Sequence, residues 1–210
     1  MRHLSTTFLV IFLFIAAIIP AHCAYKGGVS YSIPIEYDNL SENDLKPIAN
    51  RYFYNALRED DGVVNEDITK ALNIYTILQH KNPYKISYFI KTGILYDKLG
   101  KERYAKKSFS CAIGIDPSKA VGYYYFGEFY YKRGQYRQAL RYYKIALEKL
   151  ETPDYDLYYK LGDVYQKFGD TKQALKYLKM AESVRSNPSL TSKIGQVQKA
   201  DSVNILYYND

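Results

Sequence analysis

The stretch from Tyr123 to Ala146, YYYFGEFYYKRGQYRQALRYYKIA, decides the fold. Tyr123, Phe126, Gly127 and Tyr130 stand at i, i+3, i+4 and i+7, which places them on one stripe of an amphipathic helix. Ala139, Tyr143 and Ala146 form the matching stripe of a second helix. Gly134 lies between the stripes and can supply the positive φ that ends a helix. Gly127 sits inside the first helix, where glycine costs about 1 kcal/mol relative to Ala, so its presence implies a compensating gain. The expected gain is close approach of the second helix, whose alanines are equally small.

The pattern recurs on either side. Gly93 precedes Gly127 by 34 residues and Gly162 follows it by 35. The upstream copy holds Phe89, Gly93, Tyr96, Gly100, Ala105, Phe109, Ala112 and Pro117. The downstream copy holds Tyr158, Leu161, Gly162, Tyr165, Gly169, Ala174, Leu178, Ala181 and Pro188. Further upstream, Ala71, Leu72, Tyr75, Leu78 and Pro83 repeat the second half of the unit. Each hairpin presents aromatic side chains that it cannot bury alone, so neighbouring units must cover them.

Small and aromatic residues at these positions, in three consecutive copies of one period, resemble the tetratricopeptide repeat family. The resemblance implies an all-α fold, a right-handed superhelical stack of antiparallel helical hairpins. Its units are 86–119, 120–153 and 155–188, with a degenerate unit at 45–85 and a closing helix at 189–208. The degenerate unit departs from the pattern twice. Its first helix, roughly Leu45 to Leu57, lacks the glycine, and an insertion-like stretch, Glu59 to Glu66, separates its helices. Residues 24–44 read as an extended arm or linker, since AYKGGVSYSIPIEYDNL fits no helical pattern.

The start of the chain reads as a targeting signal. A short basic start, Met1-Arg2-His3, precedes the apolar run Phe8 to Ile19, and Ala21 and Cys23 are small residues at −3 and −1 of a cut before Ala24. Twelve apolar residues are too few to span a bilayer comfortably. The expectation is therefore an exported chain, periplasmic or secreted, with 1–23 removed. Membrane association would need an uncleaved signal or a lipidated Cys23, and His22 before the cysteine argues against lipidation. The cut would leave Cys111 as the single cysteine, a small buried hydrophobe without an intramolecular partner.

Composition bounds the chemistry. The chain has 25 tyrosines, no tryptophan and a net charge of +7. A Tyr ring can pack while its hydroxyl stays wet, which suits many half-buried positions. The basic excess is dispersed among acids with no run of five Lys/Arg, so it is a weak nucleic-acid footprint. His80 is the one histidine outside the signal, so hydrolytic triads and the usual zinc sites have too few members. No phosphate-cradling G-x-x-x-x-G-K loop occurs. The expectation is no enzyme activity, no cofactor and no metal.

In the resembled family, first helices line a partner-binding groove. Carried onto this sequence, the groove positions are Ile90, Ile94 and Asp97, then Tyr124, Glu128 and Tyr131, then Tyr159, Asp163 and Gln166. Lys98, Lys132 and Lys167 follow them in register. Tyr124 and Tyr159 would form an aromatic strip flanked by Glu128 and Asp163, the residue types that binding hot spots use. Some family members clamp C-terminal carboxylates with Lys and Asn. This sequence has Ile or an acid where that Asn would fall, so such a clamp is not expected. The functional expectation is an extracytoplasmic scaffold or adaptor for a partner protein or peptide. The alternatives are a helical-repeat nucleic-acid-binding protein or a non-catalytic subunit of an envelope enzyme complex.

Overall fold

The computed structural model describes residues 37, 39–58 and 66–208, with side chains as far as Lys199. The signal-like segment, residues 24–36 of the arm and residues 59–65 of the insertion-like stretch lie outside the described residues. Among the described residues there are nine α-helices and no strand. They are α1 (Glu42–Arg58), α2 (Glu66–Lys81), α3 (Ile86–Lys98), α4 (Glu102–Ile115), α5 (Ala120–Tyr131), α6 (Tyr136–Glu148), α7 (Tyr155–Lys167), α8 (Thr171–Val184) and α9 (Pro188–Tyr208). Two compact units divide at Pro117/Ser118. The first pairs α1 with α2 and α3 with α4, and the second pairs α5 with α6 and α7 with α8, with α9 packed on α8.

Local chemistry sets the boundaries. Asp154, Asp170 and Asn187 each accept a backbone N–H from three residues on, at Leu157, Gln173 and Leu190, and so cap α7, α8 and α9. Gly134 ends α5 at φ +67°, donating to the Tyr131 carbonyl at 2.9 Å while Gln135 donates to that of Tyr130 at 3.0 Å. That pair of bonds is the Schellman motif, which a side chain at position 134 would strain. The ends of α3 and α7 repeat it at Gly100 and Gly169.

The helix-interior glycines also meet a partner, but not the one expected. A Cβ at Gly127 would lie 2.5 Å from the Tyr143 ring, one at Gly93 2.7 Å from Phe109, and one at Gly162 2.7 Å from Leu178. The alanines of the second helices are fully buried, yet the residue seated on each glycine is large. A missing methyl thus makes room for an aromatic ring or a leucine to be buried against the first helix, which more than offsets the helix penalty.

The degenerate unit hides the same arrangement. Tyr143 Oη and Lys160 Nζ both donate to the Glu128 carboxylate. In the first unit Tyr75 Oη, at 2.8 Å, and Lys91 Nζ both donate to Asn50 Oδ1. Asn50 therefore takes the place of Glu128, and Ala49, fully buried, takes that of Gly127. At the other end, Lys193-Ile194-Gly195-Gln196 of α9 repeats Lys160-Leu161-Gly162-Asp163 of α7. Leu190, Ile194 and Val197 bury against the core of the second unit, but a Cβ at Gly195 would meet nothing within 4 Å. The helix has the register of a first helix, and among the described residues no second helix is seated on it. Its Thr191 and Gln198 are exposed at the register where the repeats carry mostly aromatics.

Cys111 is buried in α4, as expected, and in the full chain it is disulfide-bonded. The sequence has two cysteines, and Cys23 lies outside the described residues. A cut after Cys23 would remove from the mature chain the other cysteine that the sequence offers.

Candidate protein-interaction face

The nine groove residues divide between the two units. In the first, Ile90 is buried and Ile94 and Asp97 are half-buried. Beside them on α3, Lys91 Nζ lies 5.2 Å from the centre of the Phe53 ring and 5.6 Å from that of Tyr75. Burial, and then the charge of Lys46, hold this ammonium below the ordinary lysine range. Asn50 departs from the expectation of Ile or an acid at the clamp position, since it stands in the register of Glu128. Its amide oxygen is already committed to Tyr75 and Lys91.

In the second unit the structure binds the predicted residues to one another. Glu128 accepts from Tyr143 and Lys160, and the Lys160 ammonium lies 4.4 Å above the Tyr131 ring. Asp163 is buried and accepts from Tyr131 Oη and Lys193 Nζ. Burial disfavours its charge, but the bonds from Lys193 and Tyr131 outweigh that and hold the carboxyl below its ordinary range. Lys193 also donates to Tyr159 Oη at 3.3 Å and lies 4.7 Å over that ring. Glu128, Tyr131, Tyr159 and Asp163 are thus engaged in linking α5, α7 and α9. Gln166 is exposed.

Tyr124 differs. Its ring packs edge-on to Tyr125 at 5.3 Å and tilted to Tyr143 at 6.0 Å, whereas Tyr159 stacks on Tyr155 at 6.1 Å. The two tyrosines expected to form a strip therefore find different ring partners. Tyr124 instead walls an open cavity of about 260 Å³ with Ala120, Val121, Tyr125, Leu150, Asp154, Asp156 and Leu157. Sequence reasoning missed this cavity because Leu150, Asp154 and Asp156 come from the connection and start of α7, outside the periodic positions. A second, polar groove of about 550 Å³ lies between α7 and α9, lined by Asp163, Gln166, Lys167, Ser189, Ser192, Lys193 and Gln196.

His80 is exposed at the end of α2. Among the described residues no group of three or more His, Cys, Asp or Glu could hold a metal ion, and no helix is long and apolar enough to cross a membrane.

Residues 119–187 match the tetratricopeptide repeat family model. No curated protein sequence matches the chain. Among solved structures, a crystal structure of MamA protein is similar with a TM-score of 0.58 at 20% identity, covering 80% of this chain and 90% of that one. PilF of Pseudomonas aeruginosa is similar with a TM-score of 0.61 at 15% identity, covering 77% and 72%. TTC0263, a thermophilic TPR protein of Thermus thermophilus, gives 0.53 at 18% identity, covering 75% and 99%. At these identities the likeness is one of fold. The register of glycines, the repeated hairpins and the matched segment converge: residues 119–187 belong to the tetratricopeptide repeat family, and the chain has the all-α helical-hairpin fold of such proteins.

Proposed function

We propose that this chain is an extracytoplasmic scaffold that holds a partner polypeptide along the first-helix face of its second unit. The tetratricopeptide fold supports protein binding in general. The observation that carries the assignment to this face is the cavity beside Tyr124, an open, aromatic-walled recess on a face otherwise locked by the Glu128 and Asp163 bridges. A rigid face loses little conformational freedom on binding, so more of its contact energy appears as affinity. Export rests on the signal-like residues 1–23.

Capture with the tagged mature chain from envelope and secreted fractions tests this. A partner should be recovered, and Tyr124→Ala should lose it. Tyr159→Ala should matter less, because Lys193 and Tyr155 already cover that ring. Recovery indifferent to Tyr124 would sink the face assignment, and retention of the chain in the cytosol with residues 1–23 intact would sink export.

A further inference from the structure

We propose that the cavity beside Tyr124 seats one lysine or arginine side chain of the partner. This rests on the reading of the face as an interaction surface and adds the chemistry of what it takes. Size comes first. About 260 Å³ is below the roughly 300–1,000 Å³ of pockets for drug-sized ligands, so the cavity suits a side chain rather than a cofactor. Ala120, Val121, Leu150 and Leu157 offer apolar wall to an aliphatic stem, as long cationic side chains require. Tyr124 and Tyr125 add ring surface of the kind that attracts a cation.

Charge decides the sign. Three other carboxylates of this unit have their own lysine: Glu128 has Lys160, Asp163 has Lys193 and Glu151 has Lys119. Asp154 and Asp156, both exposed at the cavity, have no ion pair among the described residues, although the chain carries 29 Lys/Arg against 22 Asp/Glu. One Asp154 oxygen caps α7 through the Leu157 N–H at 2.7 Å, and the other is uncommitted. Burial, followed by the charges of Glu128, Asp156 and Asp154, keeps the Tyr124 hydroxyl protonated, so it adds no competing negative charge. A partner carboxylate would meet repulsion here. A neutral apolar side chain would fill the walls and leave both aspartates unanswered.

The test uses the full mature chain, isotope-labelled, titrated with N-acetyl-arginine amide and separately with N-acetyl-norleucine amide. The arginine probe should produce saturable NMR shifts at the Tyr124, Asp156 and Leu157 amides, and the norleucine probe much weaker ones. Asp154→Asn with Asp156→Asn should weaken the arginine probe at least fivefold, and 0.5 M salt should weaken it in the unaltered chain. Asn also caps helices, so the double variant keeps α7. Equal response to the two probes, an indifferent double variant, or no saturable shift would overturn the cation seat. Partner capture that needs Tyr124 but ignores both aspartates would overturn it while leaving the scaffold reading intact. Capture that ignores all three would remove the face itself.

Discussion

The first and second units contain the same bridge built on different charges. In one, Tyr75 and Lys91 converge on the neutral amide of Asn50. In the other, Tyr143 and Lys160 converge on the carboxylate of Glu128. The small residue beneath the ring is Ala49 in one and Gly127 in the other. The repeat thus keeps a shape and a set of donors and lets the acceptor's charge vary. Burial, and then the charge of Lys46, lower the proton affinity of Lys91 in the first unit.

The largest effect should come from the small residue. Gly127→Ala drives a methyl into a ring held from its far end by Glu128, and should cost about 3 kcal/mol in denaturant unfolding. Ala49→Gly in the first unit should cost about 1 kcal/mol, through helix propensity. A neutral Gly127→Ala would mean that Tyr143 can move aside, which would break the equivalence of the two bridges.

Next comes the acceptor. Glu128→Ala leaves the Tyr143 hydroxyl and the Lys160 ammonium without their shared partner, and should cost about 2 kcal/mol. Asn50→Asp should do the reverse, giving Lys91 a counter-charge and stabilising the chain by about 1 kcal/mol. Destabilisation by Asn50→Asp would show that burial at that site outweighs pairing.

The pH dependence sharpens the contrast. The folded pKa of Asp163 is lowered, so its contribution is complete above the ordinary carboxylate range and is lost as pH falls through the depressed value. Asp163→Asn should remove that part of the acid slope. Lys91 is a base with a lowered folded pKa, so its charged form is the disfavoured one. Stability therefore rises as pH climbs from the depressed value toward the ordinary lysine range, and Asn50→Asp should flatten that rise. Unfolding midpoints across pH read both. The smallest effect is chemical rather than energetic. Without reductant, Cys111 should not react with a thiol reagent in the full chain, whereas removal of residues 1–23 should leave it reactive; a reactive Cys111 in the full chain would break the assignment of its disulfide.

Much of the fold was legible because it is periodic. Aromatics at i, i+3 and i+7, a glycine at i+4 and alanines one helix later dictate two stripes and a turn, and neither needs a distant residue to be recognised. Helix order and the positive φ at Gly134 came from the sequence by itself. The tertiary structure decided what depends on residues far apart in sequence. It seated Tyr143, rather than an alanine, on Gly127. It matched Ala49 and Asn50 to positions that the insertion-like stretch had shifted out of register. It also turned Glu128 and Asp163 from free groove acids into links between helices, and opened a cavity where an irregular connection meets a regular helix. Periodicity tells which side of a helix a residue occupies. Only packing determines which side chain from another helix meets it there, and so which groups remain open to a partner.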